Sequence, residues 1–223
     1  VFGDIGCYTL GALPPLSAMD TTLCMGASIS GLHGFNKMRG AESAKHSVAV
    51  IGDSTFAHSG ITGLIDMVYN KGASTVVILD NSITGMTGHQ QNPTTGYDIR
   101  GGTAPQLSLE KLCEAVGVSH VAVADAGDLK ALSAALKAAL AHDGPSVVIA
   151  RKPCALLKTV KRKPALMVDA GDCIGCKACM GIGCPAITFG EGKAAIDPTL
   201  CVGCDLCAGL CPKHAIKEAA AHE

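Results

Sequence analysis

Eight of the twelve cysteines fall between Cys173 and Cys211, and they are spaced as a repeat. The text reads CIGCKACMGIGCP from Cys173 to Pro185 and CVGCDLCAGLCP from Cys201 to Pro212. Each copy is Cys-x2-Cys-x2-Cys followed by a more distant Cys-Pro, and the first copy has one extra residue before Cys184. Three thiolates at a spacing of three sit around one tight turn and hold three corners of a cubane, while the distant Cys-Pro reaches the other cluster. Cys173, Cys176, Cys179 and Cys211 are therefore expected to hold one 4Fe–4S cluster, and Cys201, Cys204, Cys207 and Cys184 a second. Gly175, Ala178, Gly203 and Ala208 leave room for the clusters. A disulfide scaffold would want an oxidising compartment, and nothing marks the chain as secreted. Zinc sites use pairs of cysteines rather than triplets with a distant Cys-Pro. The extra residue before Cys184 is expected to form a local bulge.

The remaining cysteines, Cys7, Cys24, Cys113 and Cys154, are scattered, so the chain divides. Residues 1–151 form one expected domain, 152–165 a linker and 166–223 the cysteine domain. Charge divides too: residues 1–165 carry net +2 and residues 166–223 net −3. The linker holds Lys158, Lys161, Arg162 and Lys163, which read as a solvated connector or as a docking site for an acidic partner. A formal net charge of −1 argues against a nucleic-acid binder. No apolar run reaches the roughly 18 residues of a membrane span and no signal-peptide pattern opens the chain, so a cytoplasmic protein is expected. The first residue is Val1 rather than Met, which reads as a fragment, a split gene or a processed subunit.

Residues 1–151 alternate strand and helix patterns. HSVAVIG (46–52), STVVILD (74–80), SHVAVAD (119–125) and PSVVIAR (145–151) are short apolar runs of the kind that make buried parallel strands. A helix is expected from about Ser59 to Asn70, and another from Asp128 with Leu129, Leu132, Leu136 and Leu140 on one face. Repeated βα units imply an α/β domain with an open, doubly wound, mostly parallel sheet, whose ligands bind at the strands' carboxyl ends. Two such ends stand out: Gly52-Asp53-Ser54, and the run from Asp80 through Asn81 and Ile83 to Gly85. Asp53 and Asn81 are hard oxygen donors 28 residues apart on what should be neighbouring strand ends. With a backbone carbonyl they can form a Mg2+ site completed by phosphate oxygens. The helix start after Gly52 offers N–H groups to the same anion. Neither a dinucleotide fingerprint nor a P-loop is present.

Gly-Asp, some 25 to 30 residues, then Asn resembles the thiamine-diphosphate motif of decarboxylases and transketolases, with Ser54 where that motif has Gly. The wider text GDIGCYTLG, CMGASIS, GDSTFAHSG and DNSITGMTGHQ resembles the indolepyruvate:ferredoxin oxidoreductases, within the 2-oxoacid:ferredoxin oxidoreductases, and the likeness extends over the fused two-cluster ferredoxin-like domain, a small α+β unit. The resemblance implies that Asp53 and Asn81 with the Ile83 carbonyl bind Mg2+, and that Gly52 and Ser54 contact the diphosphate of thiamine diphosphate. It places Gly6 and Cys7, and Met25 and Gly26, beside the cofactor's rings, with Met86 on the substrate side. Gly6, Gly26 and Gly52 also read as plain turns, and Cys7 and Cys24 as small buried residues. His33, His58 and His89 sit in expected loops where a proton relay is conceivable, His89 being the second catalytic candidate beside Met86. Asp20 and Asp66 read as surface or capping residues.

The activity implied is oxidative decarboxylation of an arylpyruvate with coenzyme A, with electrons leaving singly through the two clusters to an external ferredoxin. The family's aminopyrimidine-activating carboxylate comes from a separate pyrimidine-binding domain, for which residues 1–151 have no room. A second domain or subunit is therefore expected. The alternatives are a pyruvate or branched-chain oxidoreductase of the same type, and an electron-transfer subunit whose first domain only docks partners.

Overall fold

The computed structural model describes residues 1–219. It divides into two compact units, Val1–Ala12 with Ala18–Cys154, and Leu13–Ser17 with the chain from Ala155 onward. The connector 155–165 thus groups with the cysteine unit, and so does the short Leu13–Ser17 segment. Pro15 lies against Gly183, and the Lys163 and Pro164 carbonyls lie against Gly203, which explains both attachments. Residues 220–223 of the expected second domain lie outside the described residues.

The first unit holds six strands: β1 (Phe2–Gly3), β2 (Thr21–Thr22), β3 (Val48–Gly52), β4 (Thr75–Asp80), β5 (His120–Asp125) and β6 (Ser146–Arg151). They form one parallel sheet in the order β2-β1-β3-β4-β6-β5. The four apolar runs read from the sequence are β3, β4, β5 and β6. The two-residue strands β1 and β2 carry no readable period.

Helices α1 (Ala27–Arg39), α2 (Ala41–Ala44), α3 (Asp53–Thr55), α4 (Ile61–Tyr69), α5 (Leu109–Ala115) and α6 (Leu129–Ala141) connect them. The register pairs Ala49 with Val76 and Val76 with Val147, and Ile51 with Ile78 and Ile78 with Ile149. These residues share one face and pack against Ile29 and Leu32 of α1, Leu64 and Met67 of α4, and Leu109 and Cys113 of α5. On the opposite face the Thr75 and Ser146 hydroxyls lie 2.9 Å apart, one donating to the other, and the Ser146 hydroxyl lies 3.0 Å from the Ala139 carbonyl of α6. The sheet is doubly wound, as expected.

The α6 stripe differs from expectation. Leu132, Leu136 and Leu140 are half-buried, Leu129 is 45 % exposed, and Ala139 is the buried residue. The cause is topological: β5 is an edge strand, so the helix beside it covers less sheet. Its start is nonetheless well specified, since the Asp128 carboxylate accepts the Lys130 and Ala131 N–H groups.

The second unit is a pair of antiparallel ladders. β7 (Leu166–Val168) pairs with β10 (Ile216–Glu218), and β8 (Ile187–Gly190) with β9 (Lys193–Ile196). A 3-10 turn at Ala178–Ile182 and the short helix α7 (Leu206–Leu210) carry the last cysteine of each triplet, Cys179 and Cys207. The repeat in sequence is a repeat in backbone: Gly175 and Gly203 have φ of +68° and +66°, and Lys177 and Asp205 have φ of +61° and +63°. The expected bulge is Gly183, at φ +64° just before Cys184.

Candidate functional site

The carboxyl ends of β3 and β4 open into a pocket of ≈ 250 Å³. Gly6, Cys7, Met25, Gly52, Asp53, Ser54, Asn81, Ile83 and Met86 all line it. Gly26 and His89 do not. Gly26 is a left-handed turn, φ +89°, packed against Ser59, with its N–H turned to Asp4. His89 is exposed at φ +64°. Met86 is 47 % exposed at the pocket edge. Cys7 and Cys24 are both exposed, against the expectation of small buried residues. His33 is not in a loop: it lies buried on α1 and lines a separate pocket with Lys37 and Lys71. Burial holds its imidazole below the usual range. His58 is exposed within a π-turn, Phe56–Gly60, that joins α3 to α4. Asp20 is exposed and pairs with the Val1 amino group.

Asp53 begins the helix directly after β3 and is buried. Its Oδ1 accepts the Ser54 N–H at 2.7 Å, and the Thr94 hydroxyl approaches Oδ2 at 3.5 Å. Burial pushes its carboxyl up from the usual range and the nearby Asp80 charge adds to this, against the Ser54 N–H. Asn81 Oδ1 accepts the Ile83 N–H at 3.1 Å, which curls the chain so that Ile83 returns to the pocket wall. A buried carboxylate disfavoured in its charged form, beside an amide oxygen and a turned backbone, is a donor set that suits a hard divalent cation. The Gly52 N–H is already donated to the Tyr8 hydroxyl at 3.0 Å, and the Ser54 N–H to Asp53. Gly52 therefore offers the pocket close approach, and Ser54 its hydroxyl, rather than the N–H groups expected from the helix start.

Three supports of this site were not read from the sequence. Asp4 is fully buried, and its carboxylate accepts the Ile5 N–H at 2.8 Å, the Gly26 N–H at 2.9 Å and the Ser28 N–H at 3.1 Å. It ties the Gly6–Cys7 segment to the Met25–Gly26 turn. Tyr8 is the second; burial, with Asp4 and Asp53 adding, raises its phenol so that it stays protonated. The third lies behind Asn81, where Arg151 Nε donates to Asp80 at 2.6 Å and a terminal guanidinium nitrogen donates to Glu110 at 2.7 Å. The Arg151 guanidinium holds the Glu110 carboxyl at about 2, and both carboxylates raise Arg151 further. The carbonyls of Asp80 and Asn81 accept the Lys152 and Cys154 N–H groups at 2.9 Å, fixing the end of β4.

In the second unit the cysteines gather in crossed sets. Cys173, Cys176, Cys179 and Cys211 line one cradle. Burial raises the Cys179 thiol, with Cys173, Cys176 and Cys211 as its thiol neighbours. Burial likewise pushes Cys207 up to about 11, with Cys204, Cys184 and Cys201 around it. The Leu166 and Ala215 N–H groups donate to Cys201 Sγ and Cys211 Sγ, each at 3.3 Å, as thiolates in a cluster accept. Among the described residues no three His, Cys, Asp or Glu side chains converge on a single-ion position, which a cubane, larger than an ion, does not require.

Comparison with known proteins agrees with both units. Residues 4–150 match the family model of the thiamine pyrophosphate enzyme C-terminal TPP binding domain, and residues 194–217 match the 4Fe-4S binding domain. The chain is 43 % identical over 221 residues to the indolepyruvate oxidoreductase subunit IorA of Archaeoglobus fulgidus, covering 97 % of this chain and 35 % of that protein. It is 40 % identical to the same subunit of Pyrococcus abyssi, over 96 % of this chain and 36 % of that one. It thus spans about a third of the length of the curated relatives it matches. A structure of the 2-oxoglutarate:ferredoxin oxidoreductase from Magnetococcus marinus, with 2-oxoglutarate, coenzyme A and succinyl-CoA bound, shares the fold. Its TM-score is 0.61 at 22 % identity, over 71 % of this chain and 55 % of that one. No described helix is long and apolar enough to cross a membrane. The chain belongs to the thiamine pyrophosphate enzymes, with their C-terminal cofactor-binding domain joined here to a 4Fe–4S binding domain.

Proposed function

We propose that the protein containing this chain oxidatively decarboxylates an indolepyruvate-like 2-oxo acid with coenzyme A. The products are an acyl-CoA, CO2, a proton and two electrons, and the electrons pass through two 4Fe–4S clusters to ferredoxin. The observation that carries this reading is the presence on one chain of a hard-oxygen pocket at two neighbouring strand ends and two crossed cysteine cradles. Likeness to the indolepyruvate oxidoreductase subunits over nearly the whole chain supports the substrate class.

Bound thiamine diphosphate supplies an electron sink at the keto carbon, so the electrons left by departing CO2 can be withdrawn one at a time. Asp53, Asn81 and the Ile83 carbonyl hold Mg2+, and Ser54 and Gly52 border the diphosphate. Asp4 and Tyr8 hold the segments carrying Gly6, Cys7 and Met25 against the cofactor's rings, and Met86 faces the substrate. The carboxylate that activates the aminopyrimidine comes from a pyrimidine-binding domain or subunit outside this chain. The coverage of about a third of the relatives' length is consistent with that.

The test is anaerobic absorbance of the assembled protein in its broad iron–sulfur band. Bleaching by indolepyruvate and coenzyme A, but not by pyruvate, is expected with Mg–thiamine diphosphate present. Bleaching by pyruvate instead moves the substrate. No bleaching by either, with dithionite still reducing the clusters, favours an electron-transfer subunit.

A further inference from the structure

The two halves of the cysteine repeat are alike in backbone and unlike in charge and cover. Lys177 and Asp205 occupy the same place, the left-handed residue after the second cysteine of each triplet, and carry opposite charges. The first cradle is lined by Lys177 and Lys213, and Lys193 Nζ donates to the Cys173 carbonyl. No acidic side chain lines that cradle, though the nearby Asp169 and Asp172 share the single cation of Lys217. Around the second triplet Asp205 is paired with Lys163.

Exposure follows the same split. Cys176 is the one exposed thiol among the eight, and its neighbour Ile174 is 59 % exposed. Their counterparts, Cys204 and Val202, are only half-exposed. The difference is the 163–166 segment, whose Lys163 and Pro164 carbonyls press on Gly203 and whose Leu166 N–H bonds Cys201. The first cradle therefore presents a small apolar spot, Ile174 and Cys176, rimmed by Lys177 and Lys213.

Resting on the reading that both cradles hold clusters that relay electrons, we propose that electrons leave through the first cluster. The face of Ile174, Cys176, Lys177 and Lys213 is the docking surface for an acidic one-electron carrier protein. The lysines complement the carrier's negative charge and steer it, and Ile174 gives a dry contact beside the exposed ligand. One electron passes from the reduced first cluster to the carrier's oxidised centre; no bond forms or breaks and no proton moves. The same contrast favours the reduced state of the first cluster over that of the second, because added negative charge is better tolerated beside Lys177, Lys193 and Lys213 than beside an Asp205–Lys163 pair whose charges cancel.

The assembled protein is tested with an oxidised, acidic two-cluster ferredoxin as the probe. Affinity is read at two ionic strengths, and electron transfer is followed by stopped flow after the assembled protein is reduced with dithionite. The combined Lys177→Glu and Lys213→Glu variant is expected to weaken binding roughly tenfold or more and to flatten its salt dependence. Reversing Lys158 and Lys161 of the exposed connector is expected to change affinity less than about twofold, by the same rim-charge reasoning. Iron content and the reduced-cluster EPR spin count confirm that each variant is loaded. Wild-type affinity and salt dependence in the first variant, or the loss appearing in the connector variant instead, overturns the proposal. Neither readout needs a 2-oxo acid, so failure of substrate bleaching would count against the proposed reaction alone.

Discussion

Replacing Arg151 by Met tests whether the ion cluster behind Asn81 holds the site together. Asp80 is only 7 % exposed, and its Oδ2 receives Arg151 Nε at 2.6 Å while Oδ1 has the Ser82 N–H at 3.0 Å. Two unit charges about 4 Å apart at an effective dielectric of about 20 attract by about 4 kcal/mol. Breaking a buried pair from one side costs about 3–5 kcal/mol, because the other charge is left buried. Arg151 is itself 38 % exposed, which screens the pair, so the lower end applies. Arg151→Met should therefore cost about 3 kcal/mol, an effect compounded because the neighbouring Asp53 is already disfavoured as an anion. The assay is urea unfolding of the full chain by far-UV circular dichroism, the iron–sulfur band reporting separately on the second unit. Adding Asp80→Asn to Arg151→Met removes the stranded charge and should recover more than half of the loss. A loss below about 1 kcal/mol, or a double variant as unstable as the single one, would refute the reasoning.

Asp53→Ala should abolish Mg2+-dependent thiamine diphosphate binding while leaving iron content unchanged, measured by calorimetry and iron assay. The Glu110 carboxyl is depressed from 4.5 to about 2, so its contribution to stability is present above pH 4.5 and is lost as pH falls toward 2. Glu110→Gln should cost about 1–2 kcal/mol at pH 7, after allowance for solvent screening, and flatten the stability curve over that window. Cys211→Ser should damage the cluster of the first triplet and Cys184→Ser that of the second, read by EPR of the reduced protein; each spoiling the neighbouring triplet instead would undo the crossed assignment. Asp4→Ala strands three N–H groups and should cost about 2–4 kcal/mol in thermal unfolding while weakening cofactor binding.

The parts legible in the sequence were those whose signal is local. The valine- and isoleucine-rich strands β4 and β6 are buried on both faces, β3 is buried on one and half-buried on the other, and all three read as continuous apolar runs, so their ends, and with them Asp53 and Asn81, fall in place. The cysteine triplets are local turns, and Gly175 and Gly203 show why the repeat needs glycine, since both adopt left-handed backbone. Helix α1 was not read, because Gly31 and Gly34 interrupt the pattern of ASISGLHGFNKMR; tertiary packing of Ile29 and Leu32 on the sheet makes it a helix. That same omission put His33 in a loop. The edge position of β5 is a property of strand order, and so the half-exposure of α6 had no local trace.

The support of the site was illegible for a different reason. Asp4 binds the N–H of Gly26 across 22 residues, Tyr8 that of Gly52 across 44, and Arg151 reaches Asp80 across 71 and Glu110 across 41. None of these pairs has a fixed spacing, because each is made by strand order: Asp80 and Arg151 are register partners at the ends of adjacent β4 and β6. The proposed metal ligands sit where strands end, Asp53 as the first residue of α3 and Asn81 in the turn after β4. Their precision has to come from the long-range contacts. Asp53 is costly to bury and the Asp80 charge adds to that cost; Arg151 pairs with Asp80, and among the described residues no cation pairs with Asp53. The pattern implies that substitutions at Arg151 and Asp4, neither in reach of chemistry, should impair cofactor binding more than substitutions at exposed His89, which sits near the motif in sequence but outside the pocket.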